Sequence, residues 1–175
     1  MMYGITGTPG TGKTAIAEEL AERGYHVVHL RDTVDPYVIE RDTGRDTLVI
    51  DEERWASEFT PVEGFVEGQL AHLLPCDRVV ILRCRPDVLE KRLTLRGYSD
   101  AKIRENVEAE ALDVILIETL EEHHGSHIYE LDTTDKDIRE CADLIETSPF
   151  INKSAAEIIG QSLRSLKGST DNDAT

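Results

Sequence analysis

Short apolar runs alternate along the chain with stretches whose apolar residues recur at helical spacing. Met2-Tyr3-Gly4-Ile5-Thr6 reads as a first strand. Ala15 to Arg23 reads as a helix, with Ile16 and Leu20 on one face, Glu18, Glu19 and Glu22 on the other, and Gly24 closing it. Tyr25 to Leu30 is a second short strand. Arg31 to Arg45 is polar, lacks a clean period and contains Pro36 and Gly44, so it reads as a mobile helical insertion rather than core. Thr47-Leu48-Val49-Ile50-Asp51 is an apolar strand ending in a carboxylate, followed by a short helical piece through Trp55 and Phe59 that Pro61 ends. Gly64 to Gly68 is another short extended piece, and Leu70 to Leu74 a turn of helix before Pro75.

Arg78-Val79-Val80-Ile81-Leu82-Arg83 is the clearest strand, and its consecutive apolar residues suit a parallel position buried on both faces. Pro86 opens a helix with Leu89 and Leu93 inward, and Gly97 stops it. Ser99 caps a long helix carrying Ile103, Val107, Ala111, Val114 and Ile115, which runs up to Gly125. His127 to Asp132 is a last strand, and Asp135 caps a helix with Ile138, Ala142 and Ile145. The alternation predicts an α/β domain over residues 1–148, with helices on both faces of a parallel sheet and a ligand at the strands' C-terminal edge. Residues 149–175 read as an appendage. Ser154-Ala155-Ala156-Glu157 is a capping box there, Ile159, Leu163 and Leu166 mark a short amphipathic helix, and Lys167 to Thr175 reads as a disordered polar tail.

Between the first strand and the first helix stands Gly7-Thr8-Pro9-Gly10-Thr11-Gly12-Lys13-Thr14, a full match to G-x-x-x-x-G-K-[ST]. Its glycines let consecutive backbone N–H groups turn inward around phosphate oxygens. Lys13 can neutralise the β- and γ-phosphates, the Thr14 hydroxyl can ligate Mg²⁺, and the helix that follows adds its positive end. The loop defines a triphosphate site, not a reaction.

Composition narrows the classes. At 175 residues the chain is long enough for one domain with a proper core. A net charge of -16 argues against a broad nucleic-acid surface, which needs clustered Lys and Arg. Cys76, Cys84 and Cys141 form no C-x-x-C pair and suit a reduced, cytoplasmic setting with inert thiols. The short apolar start runs straight into the loop, so no signal peptide is expected, and no run approaches the roughly 18 apolar residues of a membrane span. A GTPase would need a guanine-reading Asn-Lys-x-Asp segment, which is absent, and an AAA-type ATPase a longer chain. A small-molecule kinase needs only a cationic lid and a second pocket, because phosphoryl transfer depends mostly on positioning and charge. Arg92-Leu93-Thr94-Leu95-Arg96-Gly97-Tyr98 is the lid candidate. Arg92 and Arg96 project from one helix face and could clamp ATP phosphates, or they could form an exposed basic face paired with Glu90 and Glu105.

The loop, the segment Val49 to Arg54, the block Arg92-Leu93-x-x-Arg96-Gly97-Tyr98-Ser99, and Asn106-Val107-x-x-Glu110 together resemble the adenylate kinase isoenzyme 6 family, from about Tyr3 to Ile145. These are small nucleotide kinases and ATPases also tied to ribosome biogenesis. The resemblance implies a P-loop NTPase three-layer fold, with a five-stranded parallel sheet of the nucleoside monophosphate kinase type. It also implies an AMP-binding insertion over about residues 27–51 and a short lid over about residues 95–105. Gly7 opens the loop in which Gly10, Gly12, Lys13, Thr14 and Ala15 would bind ATP, and Arg96 would be the lid arginine. The implied reaction is ATP + AMP to two ADP, alongside slow ATP hydrolysis. The implied partner is a small-subunit platform ribosomal protein, engaged late in small-subunit rRNA maturation.

Where eukaryotic family members carry an Asp-x-His pair, counting back from Pro75 gives Glu67 and Gln69. Glu67 can still ligate, whereas Gln69 cannot act as an acid or base, so hydrolysis is more in doubt than kinase action. Glu67 is the first choice for the Mg²⁺-side carboxylate and Asp51 the second; either could equally be a capping or ion-paired group. His123, His124 and His127 read as an exposed helix end rather than a metal site. Trp55 and Phe59 read as satellite core, Asp132-Thr133-Thr134 as backbone near the adenine by analogy, and His72 as near the acceptor with no role assigned.

Overall fold

The computed structural model describes residues 1–42 and 47–148; Gly44, Arg45 and the whole appendage lie outside the described residues. In chain order the elements are β1 (Met2–Gly7), α1 (Lys13–Glu22), β2 (Val27–His29), β3 (Val38–Asp42), β4 (Thr47–Ile50), α2 (Glu52–Glu58), β5 (Gly64–Glu67), β6 (Arg78–Arg83), α3 (Pro86–Leu95), α4 (Asp100–Ala111), α5 (Val114–Glu122), β7 (Ile128–Asp132) and α6 (Ile138–Thr147). Among the described residues, five strands form a parallel sheet in the order β2-β5-β1-β6-β7. Ile5 of β1 lies opposite Glu67 on one side and Val80 on the other, and Glu67 in turn lies opposite His29.

Period-two side chains divide the core into two layers. On one face Ile5, Phe65, Val80 and Leu82 pack with Ile16 and Leu20 of α1 and with Cys141, Ala142 and Ile145 of α6. On the other, Val66, Val79 and Ile81 pack with Trp55, Leu74 and Ile115. β6 therefore buries its successive residues on opposite faces, which is why its sequence is apolar without alternation. A third cluster, Cys84, Leu89, Leu93 and Ile103, joins α3 to α4 beside the loop. No described helix is long and apolar enough to cross a membrane.

Three local expectations change. Among its described residues, the polar insertion is not helical beyond two short 3₁₀ turns at Leu30–Thr33 and Asp35–Tyr37; it continues into the antiparallel pair of β3 and β4. Its exposed strands hold few buried residues, so they carry neither a helical nor a clean alternating pattern. The long helix from Ser99 breaks at Asp113, whose backbone is left-handed with φ 57°. Arg83 explains the break: its Nη2 donates to the Glu110 carbonyl at 3.3 Å and pairs with the Asp113 carboxylate, taking the end of α4 away from the continuing ladder. Finally, α6 is capped by Asp137 rather than Asp135, in a capping box with Glu140.

Candidate active site

β1 delivers the chain to the C-terminal edge of the sheet, where Gly7 turns it with φ +144°; a Cβ there would stand 2.5 Å from the Leu82 carbonyl oxygen. Gly10, with φ +93°, lies against α3, and an added Cβ would stand 2.8 Å from Leu89 Cδ1. Both positions need glycine. Gly12 caps α1 with no side-chain hydrogen bond. As at any helix start, the amides of Lys13, Thr14 and Ala15 have no intrahelical carbonyl, so this end of α1 offers N–H groups and a positive dipole to an anion.

Lys13 Nζ donates to the carbonyls of Gly7 (2.7 Å) and Thr8 (3.1 Å), which holds the ammonium over the loop. Burial pushes its pKa down to about 8; the carboxylates of Glu67 and Glu110 oppose the shift and Arg96 adds to it. Thr14 Oγ1 donates to Glu67 Oε1 at 3.1 Å, and Glu67 Oε2 meets His29 Nδ1 at 2.8 Å. Glu67 is buried at the end of β5. A hydroxyl and a carboxylate side by side are hard oxygen donors of the kind Mg²⁺ takes, so this pair fits that ion. Asp51 stands elsewhere. It accepts from Arg54 N at 3.1 Å as the N-cap of α2, and its own N–H donates to Tyr37 O.

The two arginines differ. Arg92 donates to the carbonyls of Thr133 (2.8 Å) and Thr134 (3.2 Å), to Thr133 Oγ1 (3.2 Å) and, at 3.5 Å, to the Gly10 carbonyl. It ties the loop to the segment after β7. Arg96, the C-cap of α3, is exposed and has no ion-pair partner among the described residues. Its guanidinium is open to a ligand.

Three cavities meet around these groups. One of about 370 Å³ is lined by Gly12, Ala15, Arg92, Arg96, Thr133 and Lys136. A second, of about 240 Å³, is lined by Gly10, Lys13, Thr14, Glu67, Arg31 and Arg96. The third, about 820 Å³, lies between the insertion and α4 and includes Arg31, Ile50, Trp55, Gln69, Tyr98 and Asn106. Arg31, Gln69 and Tyr98 line both the second and the third, so phosphate site and large pocket are continuous.

Residues 4–113 match the family model described as an AAA domain. Over 148 residues the chain is 45% identical to a protein of Archaeoglobus fulgidus named "Putative adenylate kinase", covering 83% of this chain and 80% of that one. A protein of the same name from Natronomonas pharaonis is 44% identical over 149 residues, covering 83% and 88%. The chain belongs to this family of archaeal kinases. Solved structures share the kinase's fold. A gluconokinase from Sinorhizobium meliloti superposes with a TM-score of 0.51 at 19% identity, covering 99% of this chain and 97% of that one. A deoxyadenosine kinase from M. mycoides with bound dATP gives 0.51 at 14% identity, covering 83% and 97%. The solved structures show the α/β fold, and the archaeal relatives make the chain an enzyme of the nucleoside monophosphate kinase type.

Two features of the kinase's site escape a reading of its sequence. Arg31 stands in the polar stretch after β2 with no motif around it, yet it faces both the phosphate cavity and the large pocket. Trp55 is core, 1% exposed with Nε1 donating to Thr33 Oγ1 at 2.9 Å, and it also forms a wall of the large pocket. His72 is buried behind the site with Nδ1 3.4 Å from Thr6 Oγ1, and His123 Nε2 meets its carbonyl at 2.7 Å.

Proposed function

We propose that the kinase transfers the γ-phosphoryl group of ATP to AMP, giving two ADP. The observation that carries this reading is the continuity of the cavities. A pocket of about 820 Å³, large enough for a nucleotide, opens directly onto the phosphate site of the loop. ATP lies with its base toward Thr133 and Lys136 and its phosphates in the loop, under the amides of Gly12 to Ala15. The acceptor lies between the β3–β4 pair and α4, its phosphate toward Arg31. Residues 27–51 thus serve as the acceptor-binding insertion and residues 95–105 as a short lid.

Lys13 and Arg96 oppose the charge that spreads over the transferring group, and Arg31 holds the acceptor phosphate in line with it. An acceptor phosphate oxygen is already a nucleophile, so no strong general base is required. Gln69 at the junction cannot supply one. Transfer to water is therefore slow beside transfer to AMP. Thr14 and Glu67 would hold Mg²⁺, which when bound neutralises charge on the β- and γ-phosphates. Tyr98 and the turn before α4 exclude water as the lid closes.

The names of the archaeal relatives support AMP as the acceptor. The test is ADP formation from ATP with and without AMP, with CMP and UMP as rival acceptors. AMP is expected to raise turnover far above the rate with water alone, and turnover indifferent to AMP would remove the assignment. Resemblance to the isoenzyme 6 family supports a second reading, in which the same site serves small-subunit maturation through a platform ribosomal protein. Failure to bind that protein in any nucleotide state would remove it.

A further inference from the structure

The loop residue Thr8 makes a contact that phosphate binding does not require. Its Oγ1 donates to Glu110 Oε2 at 2.5 Å, and both residues are buried, at 2% and 5% exposure. The other carboxylate oxygen of Glu110 accepts from Arg83 Nε at 2.9 Å and from the Cys84 amide at 3.1 Å. A buried carboxylate needs donors at both oxygens: the arginine and the amide serve Oε1, and the Thr8 hydroxyl serves Oε2. The Thr8 hydroxyl thus both satisfies Oε2 and connects the loop to α4.

What it connects is decided by α4. The first turns of this helix, through Ala101, Lys102, Glu105 and Asn106, form one wall of the large pocket, and its last turn carries Glu110. Arg83 fixes that last turn to the end of β6, beside the strand that leads into the loop. The Thr8 carbonyl meanwhile accepts from Lys13 Nζ at 3.1 Å and from Thr11 Oγ1 at 2.8 Å, so a displacement of Thr8 also displaces the phosphate-facing lysine.

We infer that Glu110 is a positioning residue, which through Thr8 locks the phosphate-binding loop to the helix that walls the acceptor pocket. Donor phosphate and acceptor are thereby placed on one rigid part, and their mutual geometry depends on a hydrogen bond that touches neither. This rests on the assignment of the large pocket to the acceptor. The bland alternative is that Glu110 only neutralises Arg83 beneath the sheet edge, in which case Thr8 is incidental.

Thr8→Val, Thr8→Ser, Glu110→Gln and the double variant Thr8→Val/Glu110→Gln separate the two. A lost hydrogen bond to a buried carboxylate is expected to lower kcat about tenfold in Thr8→Val and in Glu110→Gln. KM for ATP and for AMP should move less than about threefold, because alignment matters most in the transition state. The double variant should be no slower than the slower single one, since both remove the same link. Thr8→Ser should restore kcat to within about twofold, because the hydroxyl is retained. Thr8→Val with unaltered kcat, a loss carried wholly by KM, or losses that multiply in the double variant would overturn the inference. If Glu110→Gln does not fold, the two Thr8 variants decide alone: they leave Arg83 and Cys84 on Glu110 Oε1, and kcat is compared at a temperature where a thermal melt shows Thr8→Val fully folded. Absence of AMP-dependent turnover in the unaltered chain would sink the acceptor assignment instead. The cycle is then read on kcat for ATP turnover without acceptor, where the same non-additivity is required.

Discussion

Thr14 Oγ1, at the start of α1, donates to Glu67 Oε1, at the end of β5, across 3.1 Å. The parallel register puts the end of β5 beside β1, so helix start and strand end meet at one edge of the sheet. Glu67→Gln keeps the shape and removes the charge. It is expected to raise the Mg²⁺ concentration for half-maximal activity about tenfold, in a titration at saturating ATP. Asp51→Ala should leave that concentration unchanged and lower stability by about 1 kcal/mol, the loss expected for an N-cap, read as a lower melting temperature. An equal Mg²⁺ effect at both positions would contradict the assignment.

Arg92 holds the site together, whereas Arg96 is available to the substrate. Arg96→Ala should lower kcat about a hundredfold without moving the melting temperature, as expected when a cation acts on transition-state charge. Arg92→Ala leaves the carbonyls of Gly10, Thr133 and Thr134 without their donor. It should lower stability by about 1–3 kcal/mol and weaken ATP binding. Steady-state kinetics and thermal melts on both variants check the division.

Lys13 gives the nucleotide-free enzyme an alkaline limit. Its pKa of about 8, lowered mainly by burial, means the ammonium is lost from the free enzyme as pH rises through that value. The charged form is the one that meets phosphate. So kcat/KM for ATP should fall above about pH 8, and kcat should hold to higher pH because bound phosphate restores the proton's affinity. A flat kcat/KM between pH 7 and 9.5 would be inconsistent with this, the range following from the ordinary spread of lysine values of roughly one unit.

The loop and the sheet were legible because their signals are local: a glycine pattern between a strand and a helix, and a β6 apolar at every interior position. The β3–β4 pair was not, since both strands are short and exposed and their pairing depends on tertiary placement. The break at Asp113 was hidden for a similar reason. Helical spacing continues through Val114 and Ile115, and the group that ends α4 is Arg83, distant in sequence. Arg31 could be read as a cation but not placed, because its position between two cavities is a matter of tertiary structure. Glu110 stood in a recognisable segment, yet its partner Thr8 lies in a motif position open to any residue.

His72 supplies a stability test independent of catalysis. It is 1% exposed, and burial pushes its pKa below the ordinary value of 6.5, against the opposing pull of the Gln69 backbone. The folded state then binds a proton less tightly than the unfolded state, so stability is lost as pH falls below 6.5 and the loss levels off below the folded pKa. His72→Gln removes this dependence. The unfolding free energy of the unaltered chain minus that of the variant, measured in urea, should therefore decrease from about pH 8 to about pH 5. A difference independent of pH would contradict the buried neutral imidazole.

On the proposed mechanism the loop presents its γ-phosphoryl group to AMP rather than to water. The most direct measurement uses ATP labelled at the γ-phosphate, incubated with Mg²⁺ and either AMP or no acceptor, with the products separated. Label is expected in ADP when AMP is present, with only slow release of labelled inorganic phosphate when it is absent. Label appearing as inorganic phosphate at the same rate in both reactions would contradict it.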